Sequence, residues 1–219
     1  MEGPSLASIP DVSHTSQVVL RASAVDLELA VRPILRGWSA GMPAGLSLVL
    51  GEEGTGKTSV LRLLAGELPP TAGRLELHGA THDTPAYRSQ VFWRDPRDPW
   101  PRETTPRAWT EEFAAACPHW QAGDWLRHVQ GFALEPHLDK AMFQLSTGSQ
   151  RKVLLAAALA SGAPLTLIDE PVAALDRVSI RYFCTALAQV AQQPGRALVV
   201  AHYDALDEAL PWRFILQLG

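Results

Sequence analysis

Apolar and polar residues alternate along the first part of the chain. The segments VVLRA, from Val18, and VDLELAV, from Val25, show this alternation, which predicts strands with one solvated face. GLSLVLG at 45–51 is a continuous apolar run, as expected of a buried strand. The following KTSVLRLLAGEL has helical spacing and ends near Gly66, and GRLELHG at 73–79 is another alternating strand.

A different composition begins near Val91 and continues to about Leu145. Proline is dense in RDPRDPWPRETTP, and five of the seven tryptophans lie between Trp93 and Trp125. We interpret this region as a helical lobe inserted into an α/β domain. Its predicted helices are 107–117 and 123–132.

After this lobe the α/β alternation resumes. A helix is predicted up to Ala160, the strand LTLID at 165–169, a helix from about Asp176, and then the strands ALVVAH and RFILQL. Strands that alternate with helices imply a largely parallel sheet with helices on its faces. The predicted division is a flexible leader at 1–17 and a single domain at 18–219, with its core at 18–92 and 151–219 and its helical lobe at about 93–150.

Composition excludes several classes of protein. The 219 residues are 47% hydrophobic and 19% charged, which is an ordinary globular composition. A net charge of −4 gives no overall basic surface, so nucleic acid is not an expected partner. Cys117 and Cys184 lie far apart, which favours a reducing compartment. The N-terminus has no signal-peptide pattern, and glycine and proline break the longest uncharged run, 153–168. We therefore expect a soluble, cytoplasmic protein.

The first chemical motif is GEEGTGKT at 51–58, which fits the phosphate-loop pattern G-x-x-x-x-G-K-[ST]. A loop around a polyphosphate must expose consecutive backbone N–H groups, and its three glycines permit this. Lys57 would contact the β- and γ-phosphates, and the Thr58 hydroxyl would bind Mg²⁺. The predicted nucleotide-binding residues are Gly51, Glu52, Glu53, Gly54, Thr55, Gly56, Lys57, Thr58 and Ser59.

Two acids make this loop unusual. Glu52 and Glu53 would repel a phosphate unless both face solvent, which is what we expect. The alternative is a chance match to the motif. Here, however, the match follows a predicted buried strand and opens a predicted helix, which is the context that the motif requires.

Further polar residues follow two of the predicted buried strands. In LTLIDEP, Asp169 would reach the Mg²⁺ shell, and Glu170 would orient or deprotonate the attacking water. In ALVVAHYDA, His202 follows the strand and is a candidate γ-phosphate sensor. The alternatives are an Asp-Glu-Pro turn that merely ends a strand and a structural histidine.

The stretch LSTGSQRK at 145–152 places small polar residues before an apolar helix, which is a common helix start. The chain order is phosphate loop, helical lobe, LSTGSQRK, LTLIDEP, VAALD and VVAHYD. This order resembles that of the ATP-binding cassette (ABC) ATPases from about Val18 to the end. The family's signature, typically LSGGQ, matches 145–149, its Walker B strand matches 165–169, its D-loop matches 173–176, and its switch histidine matches His202.

The resemblance implies a P-loop NTPase fold of the ABC ATPase type: a mostly parallel core sheet, an N-terminal antiparallel β part and an inserted helical subdomain. It implies an ATPase that uses ATP and Mg²⁺ and couples hydrolysis to transport. Two such domains, identical or paralogous, would close head to tail around ATP and drive a transmembrane subunit from the inner face of the cell membrane. The implied residues are Lys57, Glu170 and His202 for catalysis, Thr58 and Asp169 for the metal, Asp176 in the D-loop, and Ser146, Thr147, Gly148 and Ser149 in the signature, which acts on the other domain's ATP.

The chain departs from the family's pattern before the lobe. The family has a glutamine just after the strand that leads into the lobe, where it links Mg²⁺ to the transmembrane partner. In SQVFWRDP, Gln90 precedes that strand and Arg94 takes the position by register. A guanidinium cannot bind Mg²⁺, so Asp95 or water would have to substitute.

Other departures concern the base and the signature. No aromatic residue precedes the phosphate loop at the position that stacks on adenine, so Val31 or Arg32 would pack there. Thr147 and Ser149 replace a glycine and a glutamine, which predicts weaker or slower ATP handling.

The tryptophans would either form the core of the lobe or lie exposed as anchors for a membrane partner. A metal site at His78 and His82 is not expected, because a turn separates them.

Two other functions compete with a transporter ATPase. One is a nucleotide-gated regulatory or binding module with little or no hydrolysis, which the missing glutamine and altered signature favour. The other is a soluble chromosome or translation ATPase, but those have long coiled coils or tandem cassettes, and this chain has neither. Within the family, size and motif order loosely resemble the small bacterial ATPases such as that of the cytochrome c-type haem exporter, although no residue identifies haem.

Overall fold

The structure is a computed structural model that describes residues 18–30 and 32–219. The predicted leader at 1–17 and Val31 lie outside the described residues. The strands are β1 (Val18–Leu29), β2 (Arg32–Pro43), β3 (Gly45–Leu50), β4 (Ala72–Leu77), β5 (Ala80–Thr81), β6 (Val91–Phe92), β7 (Leu165–Asp169), β8 (Ala197–His202) and β9 (Trp212–Gln217). The helices are α1 (Lys57–Leu64), α2 (Pro85–Arg88), α3 (Pro106–Ala116), α4 (Ala122–Gly131), α5 (Thr147–Ala160) and α6 (Arg177–Val190).

The N-terminal strands form an antiparallel sheet in the order β2-β1-β4-β5. The prediction of two separate strands within 18–31 is wrong, because β1 is one strand with an irregularity between Ala22 and Val25, where Ala24 has φ 47°. The sequence also did not predict β2. Pro33 and Gly37 interrupt the apolar alternation of β2, and pairing with β1 supplies its hydrogen bonds instead.

The second sheet is parallel and has the order β6-β7-β8-β3-β9. The register pairs Leu50 of β3 with His202 of β8, and Ala201 of β8 with Asp169 of β7. The carboxyl ends of the three central strands therefore lie side by side at one edge, which is where ligands bind in open parallel sheets.

Side chains on both faces of this sheet are buried, which explains the continuous apolar runs. In β3, Leu46 and Leu48 pack with α5, α6 and the lobe, whereas Val49 packs on the other face with α1 and the antiparallel sheet. The predicted α/β class, with a mostly parallel core and an antiparallel N-terminal part, is confirmed. Within the described residues, no helix is both long and apolar enough to span a bilayer.

The region between β6 and α5 contains α3, α4 and two short 3₁₀ turns. Thr105 caps α3 by accepting a hydrogen bond from the amide of Ala108, and Pro106 begins the helix. Four of the five tryptophans of this region are partly buried and form a continuous row of ring contacts with Phe113, which favours the lobe-core interpretation. The row is Trp100–Trp109, Trp109–Phe113, Phe113–Trp120 and Trp120–Trp125, with centroid separations of 4.9, 5.8, 5.7 and 5.9 Å. The fifth tryptophan, Trp93, packs against the core cluster on the other face of the parallel sheet.

Candidate functional site

The loop between β3 and α1 has a backbone that requires glycine. Gly54 and Gly56 have φ of 75° and 103°, in the left-handed region that side chains disfavour. A Cβ on Gly56 would also lie 2.8 Å from Ile34 of β2. Thr55 closes the turn by donating its hydroxyl to the Glu52 carbonyl at 2.8 Å. The loop thus delivers the chain directly into the N-terminus of α1, where the helix dipole favours a negative ligand.

Lys57 lies at the centre of this loop and is 7% exposed. Its Nζ donates to the carbonyl oxygens of Gly51 at 2.8 Å and Glu52 at 3.1 Å. It also lies 3.1 Å from Oε1 of Glu170. The Lys57 ammonium group thereby links the loop after β3 to Glu170, which follows β7.

Thr58 and Asp169 form a pair of oxygen donors beside Lys57. The Thr58 hydroxyl donates to Oδ2 of Asp169 at 2.7 Å. Oδ1 of Asp169 is buried and has no hydrogen-bond partner among the described residues. Burial raises the pKa of Asp169 above its ordinary value, against the opposing effect of the Thr58 hydrogen bond. A hydroxyl beside a carboxylate with an unused oxygen fits a hard cation such as Mg²⁺, which prefers oxygen ligands.

Glu170 and His202 lie at the same sheet edge. Glu170 has φ 44°, and its amide donates to the Ala201 carbonyl at 3.0 Å, which fixes its backbone against β8. Oε2 of Glu170 lies 3.6 Å from Nε2 of His202. The other ring nitrogen of His202 lies 2.9 Å from Oδ1 of Asp204, an arrangement that orients the imidazole.

Lys57, Thr58, Asp169 and Glu170 line a cavity of about 730 Å³. Three of the predicted nucleotide-binding and catalytic residues do not line it: Gly51, Thr55 and the buried His202. Glu52 and Glu53 are exposed at its rim, as expected, yet both still line the opening. Four further lining residues were not predicted as site residues: Pro96, Arg97, Arg151 and Tyr203. Arg151 donates to the carbonyl oxygens of Asp169 at 3.0 Å and Glu170 at 3.1 Å. The complete lining is Glu52, Glu53, Gly54, Gly56, Lys57, Thr58, Ser59, Pro96, Arg97, Arg151, Asp169, Glu170 and Tyr203.

The stretch LSTGSQ begins α5 on a different surface of the chain. Ser146 caps the helix, accepting a hydrogen bond from the Ser149 amide at 3.1 Å, and the two hydroxyls lie 3.0 Å apart. Ser146 and Thr147 are exposed, and none of the four signature residues lines the cavity of this chain. Gly148 packs against the residues before α6, where a Cβ would lie 2.4 Å from the Ala174 carbonyl oxygen.

Asp176 links this stretch to α6. It caps α6 by accepting from the Ser179 amide at 2.8 Å, and its Oδ2 lies 2.8 Å from Nζ of Lys152. The Lys152 hydrogen bond and those from Ser179 hold the pKa of Asp176 well below its usual range. The predicted signature and D-loop are therefore joined into one polar surface.

Comparison with known proteins identifies the family. The sequence profile described as "ABC transporter" matches residues 38–173, which is more than half of the chain. The chain belongs to the ABC transporter family. Its relatives include the cytochrome c biogenesis ATP-binding export protein CcmA of Ruegeria pomeroyi, 33% identical over 173 residues that make up 78% of this chain and 79% of that protein.

Other relatives agree with this assignment. CcmA of Rhodospirillum rubrum is 34% identical over 194 residues, covering 85% of this chain and 80% of that protein. The taurine import ATP-binding protein TauB of Pseudomonas aeruginosa PAO1 is 32% identical over 181 residues, covering 82% of this chain and 68% of that protein. A solved ATP-binding subunit of an ABC transporter superposes with a TM-score of 0.79 at 21% identity over 91% of this chain and 88% of that one, which supports the fold. The predicted ABC ATPase resemblance and fold are confirmed, and the chain is an ATP-binding ATPase of this family.

This ABC ATPase differs from the expected pattern at the segment after β6. Arg94 donates to the carbonyl oxygens of Asp98 at 3.2 Å and Pro99 at 3.1 Å, and lies over the Trp100 ring at 4.2 Å. Its guanidinium is thus engaged in the lobe and does not line the cavity. Gln90 is also engaged locally, since its side-chain amide donates to the Ala86 carbonyl.

Asp95, the suggested substitute for the missing glutamine, is held by a neighbour. It is 5% exposed, and both of its oxygens accept hydrogen bonds from the Arg97 guanidinium at 2.9 Å. Burial alone would raise the pKa of Asp95, but the Arg97 hydrogen bonds outweigh it and the pKa is lowered. Arg97 has no counterpart in the sequence motifs. The sequence signal that could have indicated Arg97 is its spacing, because an aspartate can bind the backbone amide two residues after it.

Of the two residues expected to pack on the base, Val31 and Arg32, the structure describes Arg32. Arg32 donates from Nη1 to the Gly54 carbonyl at 2.8 Å, which places its guanidinium against the phosphate loop. The two histidines at which no metal site was expected differ in their surroundings. His82 is buried and its Nε2 lies 2.8 Å from the Leu63 carbonyl oxygen, whereas His78 is exposed.

Proposed function

We propose that this chain dimerises on ATP and hydrolyses it to drive a membrane-spanning transporter subunit. The observation that carries the proposal is the convergence of Lys57, Thr58, Asp169 and Glu170 on one cavity at the carboxyl edge of the parallel sheet. The proposed domain division is that of the sequence prediction, a core at 18–92 and 151–219 with a helical lobe at 93–150.

The phosphate loop supplies binding. Lys57 exchanges its carbonyl and carboxylate partners for the β- and γ-phosphates, and the N-terminus of α1 adds its dipole. Thr58 and Asp169 would hold Mg²⁺, which neutralises charge that develops on the phosphates. The unpartnered oxygen of Asp169 supports this assignment.

Glu170 and His202 supply the hydrolytic groups. When Lys57 binds phosphate and no longer pairs with Glu170, the Glu170 carboxylate is free to orient the attacking water and to accept its proton. His202, buried and oriented by Asp204, faces Glu170 from the neighbouring strand and is suited to hydrogen-bond the γ-phosphate. Glu170 follows β7 and His202 ends the neighbouring β8, so the pairing of these two strands sets their separation.

The signature requires a second domain. Ser146, Thr147, Gly148 and Ser149 form an exposed helix start outside this chain's own cavity. A second copy or a paralogue would present its bound γ-phosphate to that helix N-terminus. Asp176 would lie at the same interface. A cytoplasmic position on the inner face of the cell membrane follows from the membrane-spanning partner.

Hydrolysis by the wild type and by Glu170→Gln tests the enzymatic part. We expect Mg²⁺-dependent phosphate release by the wild type, lowered about a hundredfold or more in Glu170→Gln with ATP binding retained. Equal and near-zero rates would contradict it and favour the second candidate, a nucleotide-gated module. The hydrogen bonds that hold Asp95 on Arg97 are the observation that favours this second candidate.

Purification from membranes tests the partner. We expect a membrane-spanning protein to co-purify with this chain in a fixed stoichiometry after the membranes are solubilised. Recovery of the chain only from the soluble fraction, without an associated membrane protein, would contradict the transporter part while leaving hydrolysis untouched.

A further inference from the structure

Arg97 lies at the point where the metal-binding and phosphate-binding groups meet. Its Nη2 lies 3.7 Å from Oδ2 of Asp169. The same oxygen accepts the hydrogen bond from the Thr58 hydroxyl at 2.7 Å. The Arg97 guanidinium therefore lies beside a carboxylate oxygen that also contacts the phosphate loop.

Asp95 fixes this arginine in two ways. Its Oδ1 accepts from both the backbone amide and the Nε of Arg97, each at 2.9 Å, and its Oδ2 accepts from Nη2 at 2.9 Å. Asp95 is buried, whereas the Arg97 side chain is 64% exposed. The buried carboxylate is thus an anchor that holds the exposed guanidinium at the wall of the cavity.

The charges that line the cavity favour a cation at this place. Four carboxylates and three cations line it, and the carboxylates include Glu52 and Glu53 at the rim. Of the other cations, Lys57 pairs with Glu170, and Arg151 donates to the backbone carbonyl oxygens of Asp169 and Glu170. Each added phosphate brings further negative charge, which makes the contribution of Arg97 larger for a triphosphate than for a diphosphate. A guanidinium fork also matches the oxygen geometry of a phosphate.

We propose that Arg97, anchored by Asp95, binds the terminal phosphate of ATP and makes this site prefer triphosphate over diphosphate. Asp95 then acts as a positioning residue for Arg97 and does not take over the role of the missing glutamine. The proposal rests on the proposed function to the extent that both use the same nucleotide cavity, but it requires neither hydrolysis nor a dimer.

Nucleotide affinities of the monomer test it. Dissociation constants for ATP and for ADP are measured by calorimetry in EDTA for the wild type, Arg97→Gln, Arg97→Lys and Arg107→Gln. Arg107 is the matched control, because it also pairs through two nitrogens with a carboxylate, that of Asp139, at 2.7 and 3.1 Å, on an exposed surface outside the cavity. Thermal unfolding checks that each variant is folded.

In Arg97→Gln, we expect ATP to bind about tenfold more weakly and ADP less than about twofold more weakly. Arg97→Lys keeps the charge without the fork, so its loss for ATP is expected to be about threefold. Arg107→Gln is expected to bind both nucleotides as the wild type does. Equal weakening of ATP and ADP, or no change in either Arg97 variant, would overturn the proposal even if hydrolysis proves normal. A full Arg97 effect in a chain that never hydrolyses ATP would overturn the proposed hydrolysis alone.

Discussion

Nζ of Lys57 lies 3.1 Å from Oε1 of Glu170, so the cation proposed to bind phosphate and the carboxylate proposed to act on water form an ion pair. The side chain of the lysine is buried, whereas that of the glutamate is 37% exposed. A bound triphosphate must take Lys57 away from Glu170. If Glu170 acts on water as proposed, nucleotide binding and release of its carboxylate are therefore one event, and the ion pair keeps Glu170 engaged until a phosphate binds.

The variant Glu170→Gln is expected to bind ATP more tightly than the wild type, by about three- to tenfold in EDTA. The substitution removes both the competing partner of Lys57 and a negative charge from the cavity. Calorimetric titration measures the change, and Glu208→Gln, an exposed acid outside the cavity, is the control. Unchanged or weaker ATP binding by Glu170→Gln would mean that the ion pair does not compete with phosphate.

The sequence predicted the part of the site that depends on local geometry. The phosphate loop and Glu170 directly follow buried strands, Asp169 and His202 are the last residues of theirs, and strand pairing alone brings these strand ends together. The site role of Arg97 could not be predicted, because it depends on a turn in which Asp95 binds both the backbone and the side chain. The strand β2 was missed for a similar reason, since its pairing with β1 outweighs an interrupted pattern.

Gly148→Ala is expected to destabilise the protein by about 1–3 kcal/mol. Its Cβ would lie 2.4 Å from the Ala174 carbonyl oxygen, and Ala174 already has φ 63°, so the segment before α6 must move. The melting temperature is expected to fall by several degrees, roughly 2–4 °C for each kcal/mol.

Gly123→Ala is the matched control, because Gly123 also lies in the first turn of a helix and a Cβ there meets nothing within 4 Å. This variant should be as stable as the wild type or slightly more stable, since alanine favours helix over glycine. If Gly148→Ala has the same melting temperature as Gly123→Ala, the start of α5 does not pack against the segment before α6 as described.

Ser146→Arg is expected to leave ATP binding by the isolated chain within about twofold of the wild type and to abolish ATP-dependent dimers. Ser146 is exposed at the start of α5 and is not part of this chain's cavity, but a bulky cation there would block the approach of a second domain. Light scattering of the Glu170→Gln background with ATP measures the dimer. Gln130→Arg, on the exposed side of α4, is the control, and an intact dimer in Ser146→Arg would contradict the proposed interface.

Acid is expected to destabilise the fold through His128. This residue is 1% exposed, its Nδ1 lies 2.9 Å from the Tyr182 hydroxyl, and its Nε2 is buried without a partner among the described residues. Burial, assisted by the positive charge of Arg127, lowers the pKa of His128 from 6.5 to about 4. The folded state therefore favours the neutral ring, and its advantage is complete above pH 6.5 and is lost as the pH falls toward 4.

The free energy of unfolding in urea should fall by about 1–2 kcal/mol between about pH 7 and pH 5 through this group. His128→Gln, which keeps a partner for Tyr182 but cannot ionise in this range, is expected to flatten the decline. His78→Asn is the control, because His78 is exposed and has φ 45°, which asparagine tolerates; it should keep the wild-type slope. A His128→Gln protein with an undiminished decline would place the acid sensitivity in other groups, because a neutral side chain at position 128 has no proton to gain.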